Sequence, residues 1–281
     1  MPYSGEVMPT SVEESSSLPL DQIVCGDNVA VLSTFPDACI DLVVTSPPYD
    51  NLRTYSSGKP MSELWDFEGV AQQLWRVIKP GGVVVWVVAD ATVDGSETGT
   101  SFRQALRFMD IGFNLHDTMI YLKNSYPFPP SNRYYQQSEY MFVLTKGNPA
   151  TFNGLVQPTQ WRKDTNEVST TRQADGSTKE MQYEKGKETR LRDNVWKVDT
   201  GFMRTTGDRI AYNHPAIFPE TIARDHILSW SNEGDVVLDL FNGSGTTSKM
   251  AREMGRRYIG IEVNPDYCKI AENRLAQQIL F

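Results

Sequence analysis

Short apolar runs alternate with amphipathic stretches along most of this chain. Ile40–Thr45 (IDLVVT) is a run of strand formers that ends at Ser46-Pro47-Pro48, where two prolines forbid continuation of a hydrogen-bonded ladder. Over Ser62–Lys79, the residues Leu64, Phe67, Leu74, Val77 and Ile78 recur at helical spacing, and Pro80-Gly81-Gly82 stops the helix. Gly82–Ala89 (GVVVWVVA) is near-continuous β-branched sequence, which predicts a central strand covered on both faces. Ser101–Ile111 reads as helix, and Leu115–Leu122 and Glu139–Thr145 read as strands. A proline-led helix is expected over Pro219–Trp230. A second block follows: strand Val236–Leu240, glycine turn Phe241–Thr247, helix Thr246–Met254, strand Arg257–Val263, closing helix Pro265–Ile279. Strands alternating with helices predict an α/β fold built on a doubly wound, mostly parallel sheet.

Two segments break the pattern. Residues 1–20 hold Ser, Pro, Glu and Gly with little periodicity and read as a disordered leader. Residues 147–213 are polar and follow no sustained period, and so long an irregular stretch inside a domain usually carries function. The expected division is therefore 21–146, an inserted polar region at 147–213, and 214–281.

Composition narrows the class. Of the 281 residues 40% are hydrophobic and 22% charged, as in ordinary soluble proteins. The longest clean apolar run, Val83–Ala89, falls far short of the ~20 residues needed to cross a bilayer. No basic segment followed by an apolar core opens the chain, so a cytoplasmic protein without membrane contact is expected. Cys25, Cys39 and Cys268 are too scattered for a disulfide framework, and His116 and His226 lack partners at metal-ligand spacing, so no metal is expected. The net charge of −8 argues against a polyanionic partner. Thr151–Arg209 nevertheless carries eleven Lys or Arg against nine Asp or Glu, and phosphate binding depends on the local patch.

Two turns at strand ends carry the candidate chemistry, because ligands in open α/β sheets bind outside the carboxyl ends of the strands. In Asp239-Leu240-Phe241-Asn242-Gly243-Ser244-Gly245-Thr246-Thr247, the glycines allow a tight turn and close approach to a ligand. Fifteen residues after Thr247 the next strand ends in Glu262, where a carboxylate can accept hydrogen bonds from ribose hydroxyls. The lysine of the nucleotide-hydrolase phosphate loop is absent, as is a third dinucleotide-binding glycine. In Thr45-Ser46-Pro47-Pro48-Tyr49, the prolines fix carbonyl acceptors in space and the tyrosine offers a stacking face. Such a turn suits a flipped-out base with an exocyclic amine; a proline-rich structural turn accounts for it equally well in isolation.

Together the turns resemble those of the S-adenosyl-L-methionine-dependent amino-methyltransferases of DNA. Ser46-Pro47-Pro48-Tyr49 matches the family's catalytic tetrapeptide, and Asp239–Thr246 its cofactor loop, with Leu240 where proline is usual. His214-Pro215-Ala216-Ile217-Phe218-Pro219 and Ile259-Gly260-Ile261-Glu262 match two further motifs, and Ile23–Asn28 resembles the stretch that contacts the cofactor adenine. The order, catalytic turn first and polar insert between, resembles the β class. The resemblance implies a Rossmann-like methyltransferase fold whose insert recognises the target sequence in double-stranded DNA. It also implies cofactor contacts from Asp27, Asn28, Phe218, Asp239, Phe241, Gly243, Ser244, Gly245, Thr246, Thr247, Glu262 and Asn264, and a homodimer.

On this reading, the Ser46 hydroxyl and Pro47 carbonyl accept the hydrogens of the base amine while Tyr49 stacks on its ring. Serine at the head of the turn leans toward N4 of cytosine, with N6 of adenine left open. Candidate DNA contacts are Arg53 after the catalytic turn, Arg133 in the aromatic segment Tyr126–Tyr135, and Trp161, Arg162, Lys163, Arg172, Lys185, Lys187, Arg190 and Arg192 in the insert. Rival readings are methylation of RNA or of a protein amide, and a catalytically degenerate cofactor-binding module.

Overall fold

β-Branched residues crowd the strands because helices cover the sheet on both faces. The computed structural model describes residues 17–48, 65–124, 132–159, 168–182 and 188–277. Its main sheet has eight strands: β1 (Gln22–Cys25), β2 (Ile40–Thr45), β3 (Ile78–Val88), β4 (Asn114–Lys123), β5 (Ser138–Thr145), β6 (Val195–Val198), β7 (Val236–Asp239) and β8 (Arg257–Glu262). Their spatial order is β1-β8-β7-β2-β3-β5-β4-β6. Neighbours pair in parallel except at β5, which runs antiparallel to both β3 and β4. The doubly wound, mostly parallel sheet is as expected.

Alternation along β3 builds both core layers. Val84, Trp86 and Val88 pack under α1 (Asn28–Ser33), α2 (Phe67–Val77) and α3 (Thr100–Ile111). Val83, Val85 and Val87 face α4 (Glu220–Trp230), α5 (Thr246–Glu253) and α6 (Pro265–Ala276). Both faces of one strand are thereby dry, which a continuous Val/Trp run permits and an alternating one would not.

Several boundaries differ from expectation. α2 starts at Phe67, where Asp66 caps it by accepting from Gly69 N at 3.0 Å. It ends before Ile78, whose extended backbone (φ −69°, ψ 131°) already pairs with Ile40. The strand thus resumes ahead of Pro80 rather than after Gly82. In the leader, Leu18 and Leu20 pack against the first core layer, so order begins earlier than residue 21; residues 1–16 lie outside the described residues.

The insert is more structured than its polarity suggests. Val156–Pro158 pairs with Thr189–Leu191, and Val168–Arg172 with Thr178–Gln182, both antiparallel. β6, within the expected insert, joins the main sheet beside β4 and buries Trp196 and Val198. A four-residue strand with two inward side chains is too short to register as a period. Residues 195–198 therefore pair with the main sheet, and Asn153 N donates to Ser229 O at 2.8 Å, so the insert is bonded to the main body at both of its described ends. His226, expected to be an ordinary histidine, lies fully buried against Trp196 at 4.5 Å between ring centroids, and burial pushes its pKa down to about 3. Among the described residues no helix is long and apolar enough to cross a membrane, and no cluster of His, Cys, Asp or Glu could hold a metal ion.

Candidate active site

β2 and β7 are parallel neighbours, paired through Leu42 with Val237 and Val43 with Leu238. From β2 the chain winds through α2 to β3 on one side; from β7 it winds through α5 to β8 on the other. Such a reversal leaves a crevice at the carboxyl ends of the two strands. Both candidate turns open there. Thr45 Oγ1 donates to Asp239 Oδ1 at 2.7 Å across 194 residues of sequence, and Thr247 Oγ1 donates to Val44 O at 3.1 Å. The proline turn and the glycine turn are thus hydrogen-bonded into one unit. Asp239 is buried, and desolvation pushes its carboxyl up to about 6 against the bonds from Thr45 and Phe241 N, with Glu262 adding repulsion.

The glycine turn requires its glycines. Gly243 (φ 46°) and Gly245 (φ 80°) occupy the left-handed region. A Cβ on Gly243 would meet the His214 ring at 3.0 Å, and one on Gly245 would meet Ala271 Cβ at 2.9 Å. The buried Glu262 holds the turn from the next strand: Oε2 accepts from Gly243 N at 2.8 Å and Oε1 from Asn264 N at 2.9 Å. Burial raises its pKa against these bonds. With a further backbone bond from Val263, three of the four acceptor sites of the carboxylate are taken, and one is left for a hydroxyl. Beside it, the exposed Asp27 caps α1 by accepting from Ala30 N at 2.9 Å. Among the described residues, Asn28 Oδ1 and Asn242 Nδ2 are buried without hydrogen-bond partners. Asn264 spends its side chain on capping α6, accepting from Asp266 N at 2.9 Å. Phe241 packs edge-on against Trp65 at 4.9 Å in the first core layer, whereas Phe218 packs against the second.

The comparisons with known proteins fit this geometry. Residues 40–273 match a family model described as DNA methylase. The chain belongs to this family. It is 52% identical over 253 residues to the orphan methyltransferase M.BamHII of Bacillus amyloliquefaciens, covering 87% of this chain and 91% of that protein. It is 25% identical to the type II methyltransferase M.SmaI of Serratia marcescens, covering 94% and 93%. Among solved structures, the PvuII DNA methyltransferase (cytosine-N4-specific) aligns with a TM-score of 0.66 at 22% identity, covering 92% and 87%. A putative DNA modification methylase from Thermus thermophilus, complexed with S-adenosyl-L-methionine, aligns with 0.61 at 26% identity, covering 91% and 93%. This chain is therefore a DNA methyltransferase of the N6/N4 amino-methyltransferase family.

The methylase brings some candidates together and not others. Ser46, Pro47 and Pro48 stand at the crevice, with Pro47 buried; Tyr49 lies outside the described residues. So do Arg53, Trp161, Arg162, Lys163, Lys185 and Lys187. Arg172 is exposed on its strand pair. Arg190 is paired with Asp193 at 2.5 Å. Arg133 is directed to the Gly95 carbonyl and lies 3.9 Å from Glu97. Arg192 departs furthest from its expected role. Its guanidinium bonds Asp225 at 2.6 Å and stacks 4.5 Å over the Trp196 ring, which fixes the insert's end to α4. It is a structural clamp.

Sequence reasoning missed what supports the glycine turn from behind. Arg274, fully buried on α6, donates to Thr246 Oγ1 at 2.8 Å, Ser244 O at 3.2 Å, Asp208 Oδ2 at 2.7 Å and Glu220 Oε1 at 2.6 Å. Lys249 reaches the same Asp208 and Glu220 oxygens at 2.8 Å. Burial raises the Asp208 pKa, but the bonds from Arg274 and Lys249 outweigh it and hold the carboxyl below its ordinary value. Nothing in the sequence marks one arginine of a closing helix as buried, because surface exposure is the default for that residue. Arg274→Met should destabilise the methylase by ~3–5 kcal/mol in urea unfolding, since it strips partners from two partly buried carboxylates. A loss below ~1 kcal/mol would mean that Lys249 alone satisfies them.

Proposed function

We propose that this methylase transfers a methyl group from S-adenosyl-L-methionine to the exocyclic amine of a base flipped out of double-stranded DNA, and that the base is cytosine, methylated at N4. The observation that carries the reading is the Thr45–Asp239 bond, which holds an acceptor-bearing proline turn against a glycine turn at one crevice. The cofactor fits the residues present. Among the described residues Asn28 Oδ1 and Asn242 Nδ2 are buried polar atoms without partners, and Glu262 keeps acceptor capacity beside the Gly243 amide that it holds. Glu262 would accept from a ribose hydroxyl, Asp27 and Asn28 would flank the adenine, and Gly243–Thr246 would line the methionyl end. When bound, the cofactor supplies an electrophilic sulfonium methyl group.

The chain's own part is positioning and electrostatics. An exocyclic amine is a poor nucleophile while its lone pair is delocalised into the ring. The Ser46 hydroxyl and Pro47 carbonyl accept its two hydrogens and favour a tetrahedral nitrogen whose lone pair can point at the methyl group. Tyr49 holds the ring by stacking. The nitrogen would attack the methyl carbon directly as the bond to sulfur breaks, the thioether leaving, and the extra proton on nitrogen would pass to solvent water, so no covalent intermediate with the chain is required. The choice of cytosine rests on the serine that heads the turn, as in the family's N4-cytosine members. The segment 147–194 contributes sequence readers, Arg172 among them, and Arg192 is not one of them.

A homodimer is part of the same proposal. Phe102, Leu106 and Met109 recur at i, i+4 and i+7 on α3 and are 46%, 60% and 44% exposed. One contiguous apolar stripe of this kind on a helix suits a self-complementary contact. Light scattering at micromolar concentration should give a dimer mass for the wild type and a monomer mass for Leu106→Glu. A monomeric wild type would end this part of the reading.

A crossed pair of variants separates the two turns. Tyr49→Ala should lose base stacking worth ~1–3 kcal/mol, and so slow single-turnover methylation of plasmid DNA, while binding the cofactor as tightly as wild type. Glu262→Ala should instead weaken cofactor binding in calorimetry by ~1.5–3 kcal/mol per hydrogen bond lost. Nucleoside analysis of the product should show N4-methylcytosine; N6-methyladenine would replace the base assignment. Wild-type methylation by Tyr49→Ala would make the proline turn structural only.

A further inference from the structure

A second feature shares the sheet edge on which the catalytic turn stands. A cleft of about 630 Å³ opens at the carboxyl ends of β4 and β6, lined among others by Lys123, Asn124, Gln137, Lys197, Arg204 and Thr221. Asn124 builds its rim: Nδ2 donates to Asp199 Oδ1 at 2.6 Å, and Oδ1 accepts from Thr200 N at 2.9 Å, so the loop after β6 is fixed to the end of β4. Its charges are unequally spent. Lys123 is paired with Glu139 at 2.7 Å, whereas no carboxylate lies within ion-pair distance of Lys197 or Arg204 among the described residues. Both are exposed. In a chain of net charge −8 whose Arg190 and Arg192 are already paired, two open cations outnumber the one further carboxylate in the lining, Asp199, which Asn124 holds at the rim, and with the neutral donors of Gln137 and Thr221 they make a local anion site.

We propose that this cleft grips the sugar–phosphate backbone of the duplex being methylated, at a distance from the flipped base. The inference rests on the DNA-methylase reading and adds a positioning site to it. Strands lie ~4.8 Å apart, so β4 and β6, three and four strands from β2, place the cleft ~14–19 Å from the catalytic turn. At ~3.4 Å per nucleotide along one strand, that is ~4–6 base steps along the duplex. Arginine, lysine, amide and hydroxyl donors are the side chains that hold phosphates and fix register without reading sequence. The loop that supplies Arg204 continues into Thr206 and Asp208, which bond Arg274 beneath the glycine turn. Gripping the backbone here would therefore steady the support of the cofactor loop as well.

Lys197→Ala/Arg204→Ala, made in the full chain, tests this by fluorescence anisotropy on a mixed-sequence duplex of about 30 base pairs. Each phosphate contact contributes ~0.9 to the slope of log affinity against log salt. The double variant should therefore have a slope shallower by ~1.8, so that wild type loses ~12-fold more affinity than the variant between about 50 and 200 mM salt. Lys197→Arg/Arg204→Lys, which keeps both charges, should retain the wild-type slope. Arg257→Ala, at the amino end of β8 and paired with Asp21 at 2.6 Å, should leave it unchanged. Calorimetric binding of S-adenosyl-L-methionine should be unaffected in all three. A wild-type slope in the double alanine variant would overturn the cleft assignment while leaving the methylase reading intact. Failure of the wild type to bind or methylate duplex DNA at all would overturn both.

Discussion

The buried hydrogen bond between Thr45 and Asp239 is the constraint on which the site depends. It joins the ends of two strands that are adjacent in space and 194 residues apart in sequence. A carboxylate withdrawn from water is costly unless its oxygens are bonded, and here the Thr45 hydroxyl and the Phe241 amide share that task, while Thr247 bonds the Val44 carbonyl beside them. Their bonds fix the spacing between an acceptor turn and a ligand-cradling turn. Methyl transfer needs little else from a protein: the nitrogen and the methyl carbon must be held in line, and errors of ~1 Å can cost ~100-fold in rate.

A second, charged layer lies behind this contact. Arg274 and Lys249 crosslink the glycine turn, α4, α5, α6 and the loop after β6 through Asp208 and Glu220. Such networks stabilise little on balance, because desolvation offsets most of the attraction. Their contribution is geometric. Arg274 has one correct position, and with it Ser244 and Thr246 have theirs. The same loop carries Arg204 to the cleft at the far end of the sheet, so the glycine turn and the proposed backbone grip share a support.

What was legible in the sequence follows from which forces act locally. β2 was readable to the residue because proline chemistry ends it, and the glycine turn because only glycine tolerates the left-handed backbone beside His214 and Ala271. Helix α2 was read too long, since apolar spacing continues through Ile78 while the backbone has already turned extended to pair with Ile40. β6 was missed because two buried side chains make no period. Arg192 and Arg274 were beyond reach for a different reason: whether an arginine meets solvent, phosphate or a buried carboxylate is decided by partners at 33 to 66 residues' separation. The two candidate turns were local, and their supports were not.

The most direct test of the account is the single-turnover methylation rate of Thr45→Val at saturating S-adenosyl-L-methionine and DNA. Valine keeps the shape and removes only the hydroxyl that ties the two turns. The account predicts a rate lower by at least ~10-fold with an unchanged sheet and a cofactor affinity altered by no more than a few-fold, because the loss is one of alignment. A wild-type rate in a stably folded Thr45→Val enzyme would show that the two turns hold their spacing without this bond, and would contradict the account.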